Sequence, residues 1–228
     1  DKFSGMTQLQ QNNLLIGLAK NALQESCREK VENGRAIAEG SPTPSQFLVA
    51  PETFISRSPL IVENMPSQNR SFNTFRSFID EQNSIPGRNL NMIIGAVTDK
   101  FHYNHPYSDT NGKPMPPTPT ARYLKSGNLW YDRANSAIFL SSDGEYEFYT
   151  KSKLVVLVET IPYKKLFNLM SRFEIDLGGS MGSFATQQER EIFVAPDSVK
   201  VGTAICYESV YGDYYREYVL NGAQVMSI

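Results

Sequence analysis

The apolar residues of this chain recur with two different periods, and these periods predict both helices and strands. Helical spacing is found over residues 6–32, 69–82, 163–171 and 211–220. The helix at 69–82 has an apolar stripe consisting of Phe72, Phe75, Phe78 and Ile79. The helix at 6–32 is amphipathic, with apolar positions at Leu14, Leu15, Leu18, Ala19, Ala22 and Leu23.

Short apolar runs between these segments predict strands. They cover residues 47–50, 92–97, 135–140, 145–149, 199–205 and 223 onward. A continuous apolar run such as 47–50 is typical of a strand buried on both faces. Because helices and buried strands alternate, we predict an α/β fold in a single domain spanning residues 1–228.

Composition and charge exclude two classes of function. The 228 residues include 22 Lys and Arg against 24 Asp and Glu, a net charge of -2. This balance argues against a surface that binds nucleic acid, which needs excess Lys and Arg. The longest apolar run, residues 154–158, is far too short to cross a bilayer. The start at Asp1 and the strand-like end at Ile228 lead us to expect that residues of a longer protein are missing.

The two cysteines are too few for a disulfide framework or a zinc site. Cys27 falls near the end of the first helix, where we expect a structural residue. Cys206 follows a buried strand directly before a helix. A helix N-terminus lowers the pKa of a thiol and can hold an oxyanion, so Cys206 is a candidate nucleophile. The alternative is a buried, inert cysteine.

The two histidines are weak candidates for partners of that thiol. His102 and His105 fall in a segment rich in Pro and Asn, residues 101–119, which we predict to be a loop or insertion. A Cys–His pair is therefore poorly supported, and we expect both histidines to face solvent. Without further ligands, their spacing does not predict a metal site. The glycine-rich residues 178–182 lack the pattern of a phosphate loop and are predicted to be a surface loop.

A carboxylate and an ammonium group also follow predicted strands. Glu52 comes after the run at 47–50, and Lys151 comes after the strand at 145–149. A carboxylate whose pKa is raised by burial can replace histidine as a general base. A lysine can supply positive charge to an oxyanion. Taken alone, either residue is more readily explained as an ordinary surface residue.

Together and in this order, the three segments resemble the nitrilase, or carbon–nitrogen hydrolase, superfamily with its Glu-Lys-Cys triad. The motifs are Ala50-Pro51-Glu52-Thr53, Tyr149-Thr150-Lys151-Ser152-Lys153-Leu154 and Ala204-Ile205-Cys206-Tyr207-Glu208. The segment 154–162 is similar to the apolipoprotein N-acyltransferase branch at Leu154, Val155, Glu159 and Pro162. Val156 and Val158 stand where that branch has Pro and Gly.

The resemblance implies an αββα sandwich of the nitrilase type, truncated at its C-terminal end. It implies Glu52 as general base, Cys206 as nucleophile and Lys151 as oxyanion stabiliser. The backbone N–H of Tyr207 would complete the oxyanion hole, and Glu159 and Glu208 would orient the lysine and the cysteine turn. No metal or organic cofactor is expected.

The implied reaction transfers a fatty acyl chain from a phospholipid, through a thioester, to the N-terminal cysteine amine of a diacylated apolipoprotein. The domain would lie on the periplasmic side of the bacterial inner membrane, attached through segments absent from this chain. On its own, the chain would then have little activity. One alternative is a soluble amidase or nitrilase acting on a small amide, and another is a non-catalytic binding module.

Overall fold

The computed structural model describes residues 5–32, 43–64, 68–103, 115–155 and 184–228. In these ranges the α-helices are α1 (Gln8–Glu32), α2 (Arg70–Asn83) and α3 (Gly212–Leu220). Short 3₁₀ helices cover Val62–Asn64, Lys125–Gly127 and Cys206–Val210. The strands are β1 (Gln46–Val49), β2 (Ile55–Ile61), β3 (Leu90–His102), β4 (Arg122–Leu124), β5 (Leu129–Leu140), β6 (Tyr146–Thr150), β7 (Ile192–Val194), β8 (Lys200–Thr203) and β9 (Val225–Ser227).

These strands form two mixed sheets. The larger sheet has the order β1-β3-β5-β4, with β2 also paired to β3 and β6 also paired to β5. In it, β3 is parallel to β1 and β2 and antiparallel to β5. In the smaller sheet, β8 is antiparallel to β7 and parallel to β9. The α/β class predicted from the sequence is confirmed.

The first hydrophobic core lies between the helices and the larger sheet. Alternation along β3 directs Met92, Ile94 and Ala96 to this face, where the predicted stripe of α2 covers them. Asn69 caps α2 through a hydrogen bond that its side chain accepts from the backbone N–H of Phe72, at 3.1 Å. This element and its buried face are confirmed.

The helix α1 is also confirmed, but it buries a narrower stripe than predicted. Ala19 and Leu23 are buried, whereas Leu14 and Leu18 are exposed. The physical reason is that α1 lies against α2, as the Lys20–Glu81 ion pair shows, and only one side of it meets the core. The side chain of Cys27 lies outside the described part of the chain.

The second hydrophobic core lies between the two sheets. Phe139 of β5 stacks on Phe193 of β7 with ring centroids 5.2 Å apart. On the opposite face of the smaller sheet, Gly202 of β8 is covered by Tyr218 of α3. The order of layers is therefore helix, sheet, sheet, helix, which is the αββα arrangement that the resemblance implies.

Several element boundaries differ from the sequence prediction. β3 continues to His102 and β5 begins at Leu129, because the two strands pair beyond the apolar core as a ribbon with polar and aromatic side chains. The seven-residue strand β2 and the short strands β4 and β7 were not predicted. β1 lies at the edge of its sheet and leaves Val49 exposed, so it is not buried on both faces as predicted. The helix predicted at 163–171 and the loop predicted at 178–182 lie outside the described residues.

Candidate active site

Three strand ends bring Glu52, Lys151 and Cys206 together. Glu52 follows β1, Lys151 follows β6, and Cys206 begins the 3₁₀ helix after β8. The Lys151 ammonium Nζ donates a hydrogen bond to Glu52 Oε1 at 2.8 Å. The thiol of Cys206 is hydrogen-bonded to the same carboxylate. Glu52 is therefore the group through which the other two are connected.

The turn that carries Glu52 is seated on Gly95 of β3. A Cβ added to Gly95 would lie 2.6 Å from Glu52 Cα, 2.6 Å from the Pro51 carbonyl oxygen and 2.7 Å from Thr53 N. Thr53 adopts a φ of 50°, which is uncommon for a residue with a side chain. Only glycine at 95 leaves room for this turn. A glycine inside an otherwise apolar strand was the available sequence signal for such close backbone contact.

Asn135 of β5 connects Glu52 with Lys151. Its side-chain Nδ2 donates to Glu52 Oε1 at 2.6 Å, and its carbonyl oxygen accepts from the backbone N–H of Lys151 at 2.8 Å. Asn135 is buried. No role was predicted for Asn135 from the sequence. The signal was a polar amide at the start of an apolar run, since a buried amide needs hydrogen-bond partners.

The pKa of Glu52 is lowered, contrary to the sequence prediction that burial raises it. Burial does act to raise it. The hydrogen bond and positive charge of Lys151, with hydrogen bonds from Asn135 and Cys206, outweigh burial and favour the ionised form. Glu52 is thus a carboxylate at neutral pH, able to accept a proton without first losing one.

The pKa of Cys206 is raised, and the prediction that a helix N-terminus lowers it is wrong. Partial burial of the thiol and the negative charge of Glu52 raise it, and they outweigh Lys151 and the backbone N–H of Tyr207, which act in the opposite direction. The helix that follows is a five-residue 3₁₀ helix rather than an α-helix, since α3 begins only at Gly212. At neutral pH the thiol therefore keeps its proton, with a carboxylate as acceptor.

The Cys206 turn has two geometric features that suit nucleophilic attack. Cys206 itself adopts a φ of 50°, a strained conformation for a residue with a side chain, and it is exposed. The backbone N–H of Tyr207 is hydrogen-bonded to Cys206. A donor next to the nucleophile is placed where an oxyanion would form.

Glu208 ties this turn to the segment around Lys151. Its carboxylate is fully buried and accepts from Ile205 N at 2.8 Å, on one side of Cys206. It also accepts from the Tyr149 hydroxyl at 2.9 Å and from both the backbone N–H and the hydroxyl of Ser152 at 2.6 Å. Burial and the nearby Glu208 charge raise the pKa of Tyr149, which therefore remains a donor. Tyr149 and Ser152 were not singled out from the sequence.

The remaining sequence predictions concern Glu159 and the histidines. Glu159 and His105 lie outside the described residues. His102 is wrongly predicted to be a solvent-facing loop residue, because β3 extends to it and its Nε2 lies 2.9 Å from Asp132. Among the residues that the structure describes, no three His, Cys, Asp or Glu side chains are grouped to hold a metal ion.

Comparison with known proteins agrees with the motifs. The model of the carbon–nitrogen hydrolase family matches residues 115–228, which is half of the chain. The chain belongs to the carbon–nitrogen hydrolase family. This family, the nitrilase superfamily, is the one that the three motifs resemble.

Two curated relatives are apolipoprotein N-acyltransferases. The protein from Chlorobaculum tepidum is 28% identical over 173 residues, covering 64% of this chain and 32% of the relative. The protein from Thermotoga maritima is 25% identical over 97 residues, covering 42% of this chain and 18% of the relative. This chain thus spans at most about a third of the length of these relatives. In the described ranges, no helix has the length and apolarity needed to cross a membrane.

Solved structures of the same superfamily are similar over most of this chain. An amidase from Nesterenkonia sp. AN1 aligns with 96% of this chain and 58% of its own length, with a TM-score of 0.45 and 11% identity. A carbon–nitrogen hydrolase from Helicobacter pylori G27 aligns with 94% and 54%, with a TM-score of 0.44 and 14% identity.

Proposed function

We propose that this chain is the catalytic domain of an acyltransferase that moves a fatty acyl chain from a phospholipid to the α-amine of an apolipoprotein's N-terminal cysteine. The observation that carries the proposal is the Glu52 carboxylate, which is hydrogen-bonded to both Lys151 and Cys206. Such a carboxylate can deprotonate a thiol beside a fixed cation, which is what acyl transfer through a thioester requires. The similarity to apolipoprotein N-acyltransferases supports the choice of substrates.

In the first half-reaction, Cys206 Sγ attacks the ester carbonyl carbon of the phospholipid while Glu52 takes the thiol proton. The new oxyanion receives the positive charge of Lys151 and the backbone N–H of Tyr207. Collapse breaks the carbon–oxygen bond, and Glu52 returns its proton to the departing alkoxide. The products are a lysophospholipid and a Cys206 thioester.

In the second half-reaction, the α-amine of the apolipoprotein attacks the thioester carbonyl and Glu52 accepts a proton from the amine. The same two groups stabilise the second oxyanion. Collapse breaks the carbon–sulfur bond, and the proton held by Glu52 restores the Cys206 thiol. The new carbon–nitrogen bond thus replaces the carbon–sulfur bond of the thioester, and the enzyme is regenerated. No redox step occurs.

The raised pKa of Cys206 and the lowered pKa of Glu52 have a consequence for this scheme. Proton transfer from the thiol to the carboxylate is uphill in the resting site, because each group favours its present protonation state. Attack on the carbonyl must therefore accompany proton transfer, so that the charge moves to the oxyanion beside Lys151. Stabilisation that appears only during attack raises the rate rather than the affinity.

The supporting residues have proposed roles of a different kind. Glu208 positions both the Cys206 turn and the Lys151 segment, through the hydrogen bonds described above. We assign Glu159 to the orientation of Lys151 by resemblance alone. The scheme uses no metal or organic cofactor. Its substrates place the domain on the periplasmic side of the bacterial inner membrane, attached through other parts of the full-length protein.

A second candidate function is hydrolysis of a small amide, because the family match and the triad fit it equally well. In that reaction water, rather than a lipopeptide amine, attacks the Cys206 thioester. A third reading, a binding module, predicts no chemistry at Cys206.

One experiment separates the three. The purified full-length protein is incubated with phospholipid and a diacylated lipopeptide, and separately with a panel of small amides, beside a Cys206→Ala control. The proposal predicts a triacylated peptide that depends on Cys206 and no ammonia from the amides. Ammonia release without acyl transfer would identify a hydrolase instead, and no product in either arm would favour the binding module.

A further inference from the structure

The larger sheet continues past the triad, and its continuation has a distinct composition. Beyond Gly95 and Asn135, β3 and β5 pair with the register Asp99↔Arg133 and Phe101↔Tyr131, and β4 adds Arg122↔Tyr131. Side chains two residues apart on a strand lie on one face. Arg133 and Tyr131 therefore lie on the same face as Asn135, which contacts Glu52. We call this surface the distal wall and define it by Asp99, Phe101, Arg122, Tyr131 and Arg133.

The distal wall begins two residues from Asn135, which contacts the triad at Glu52. Arg133 lies two residues before Asn135 on β5, which is a separation of about 7 Å along a strand. Arg122 lies on the neighbouring strand, diagonal to Arg133, and cross-strand diagonals are within reach of long side chains. A substrate whose reacting carbonyl lies at Cys206 can thus extend along this wall.

The distal wall holds more positive than negative charge. Arg133 donates from Nε and Nη2 to the two oxygens of Asp99 at 2.7 and 2.8 Å, so one carboxylate neutralises one guanidinium. Arg122 is hydrogen-bonded to the phenol of Tyr131, and both burial and the charge of Arg133 lower its pKa. Glu63 accepts from the backbone N–H of Phe101, at the opposite edge of β3. The Glu63 carboxylate lies 3.2 Å from the backbone of β3, and β4 lies two strand spacings, roughly 10 Å, beyond β3 across the sheet.

The same surface carries aromatic rings beside the guanidinium groups. The Arg133 Cζ lies 5.6 Å from the ring centroid of Tyr131, and the Arg122 Cζ lies 5.9 Å from that of Phe184. The rings of Phe101 and Tyr131 lie 5.7 Å apart. Rings that shield guanidinium groups from water strengthen their hydrogen bonds to an anion. The combination suits a ligand with an anionic group next to an apolar part.

We propose that Arg122 and Arg133 bind the phosphodiester of the acyl donor and so select glycerophospholipids over uncharged acyl esters. This inference rests on the proposed acyl-transfer function. In a glycerophospholipid, the phosphate and the acyl esters are attached to neighbouring carbons of one glycerol. In such a ligand the reacting ester would lie at the thiol, and the phosphate would lie at the guanidinium groups.

The test compares acyl donors that differ only in the phosphate. Acylation of Cys206 in the full-length protein is measured with a glycerophospholipid and with the diacylglycerol that has the same chains. Wild type is expected to favour the phospholipid. Arg122→Ala is expected to raise the KM for the phospholipid about tenfold, the loss of one charge-assisted hydrogen bond, and so to reduce the preference over the diacylglycerol by about the same factor.

Two further variants separate binding from folding. The double variant Asp99→Ala/Arg133→Ala removes both members of the ion pair, so that no buried charge is left alone, and it is expected to show the same selective loss. Arg70→Ala, on the distant helix α2, is the matched control and is expected to retain the wild-type preference. Equal loss with both donors in the wall variants, or no preference in wild type, would overturn the inference.

A second readout distinguishes failure of this inference from failure of the proposed function. Inorganic phosphate and glycerophosphate are tested for protection of Cys206 against iodoacetamide. The inference predicts protection that is lost in Arg122→Ala, and stronger protection by glycerophosphate than by inorganic phosphate. Such protection without any acylated Cys206 would leave the anion site standing and reject acyl transfer. Acylation without protection or donor preference would keep the function and reject the anion site.

Discussion

Two turns present the reacting groups, and they are held in opposite ways. The turn after β1 carries Glu52, and the turn after β8 carries Cys206. Each contains a residue with a side chain at a φ of 50°, Thr53 in the first and Cys206 in the second. The first is seated by backbone packing on Gly95, and the second is held by hydrogen bonds to the buried Glu208.

A strained turn can therefore be held in place either by shape or by charge. Gly95 has no side chain, and the backbone of the Glu52 turn occupies the space that a Cβ at this position would fill. Glu208 contributes a buried charge, whose desolvation is offset only while several donors surround it. The first turn should therefore be sensitive to a single methyl group, and the second to a change of charge without a change of size.

The largest effect on stability is expected from removing the charge of Glu208, which holds the Cys206 turn. In Glu208→Gln, one carboxylate oxygen becomes an NH₂ group that faces donors, so hydrogen bonds at Ile205 or Ser152 are lost. We expect the free energy of unfolding to fall by about 3–5 kcal/mol, as for other broken buried charge networks. Urea denaturation measures it. Glu81→Gln, at an exposed ion pair, is the control, with an expected change below about 1 kcal/mol. A similarly small change at Glu208 would show that the carboxylate does not hold the turn.

The second-largest effect on stability is expected from adding a side chain at Gly95, against the turn that carries Glu52. Gly95→Ala places a methyl group 2.6 Å from Glu52 Cα and must displace the turn. We expect a stability loss of about 1–3 kcal/mol and a fall of about tenfold or more in the rate at which iodoacetamide alkylates Cys206 near pH 7.

Alanine variants of two other glycines distinguish an effect of displacing Glu52 from an effect of lower stability alone. Gly202→Ala overpacks Met226 and Tyr218 between the smaller sheet and α3, and it should lower stability without slowing alkylation as much. Gly212→Ala meets no atom within 4 Å and should change neither quantity. If Gly95→Ala slowed alkylation no more than Gly202→Ala, packing of the Glu52 turn against Gly95 would not contribute to the reactivity of Cys206.

The pH dependence of Cys206 alkylation tests how Asn135 controls Glu52. The hydrogen bond from Asn135 lowers the pKa of Glu52, so Asn135→Ala raises it. Because only ionised Glu52 accepts the thiol proton, Cys206 reactivity falls as pH drops through this pKa. The acid limb of the alkylation profile should therefore move to higher pH in Asn135→Ala. An unmoved limb would mean that Glu52 does not control the thiol.

The same lowered pKa links folding stability to pH. A carboxyl group whose pKa is lower in the folded protein stabilises the fold above its ordinary value of 4.5. That contribution is lost as pH falls through the lower folded value. Asn135→Ala should thus be less sensitive to acid in this window, although less stable at neutral pH.

The smallest expected effect is relief of strain at Thr53. Glycine adopts a φ of 50° without steric cost, so Thr53→Gly should change the free energy of unfolding by no more than about 1 kcal/mol, toward greater stability. The midpoint of urea denaturation measures it. A loss above 1 kcal/mol would show that the Thr53 side chain, rather than the backbone of this turn, matters.

Local pattern was sufficient to predict the elements that carry the site. The Phe72–Ile79 stripe and the polar residues after the strands led to α2 and to Glu52, Lys151 and Cys206. The seat on Gly95 and the amide of Asn135 were not predicted, because they depend on contacts between strands distant in sequence. The two pKa directions were predicted wrongly for the same reason. Burial could be inferred from the apolar strands, but the compensating contacts could not.

Formation of a thioester at Cys206 is tested by the intact mass of the full-length protein after incubation with phospholipid and no acceptor. We expect a gain of one acyl chain on Cys206, released by hydroxylamine at neutral pH as a thioester is. We expect no such gain in Cys206→Ala and a much slower gain in Glu52→Gln, which keeps the shape of the base but not its charge. An unmodified mass in the wild-type protein, or an acyl chain that persists in Cys206→Ala, would show that Cys206 is not the acylated nucleophile.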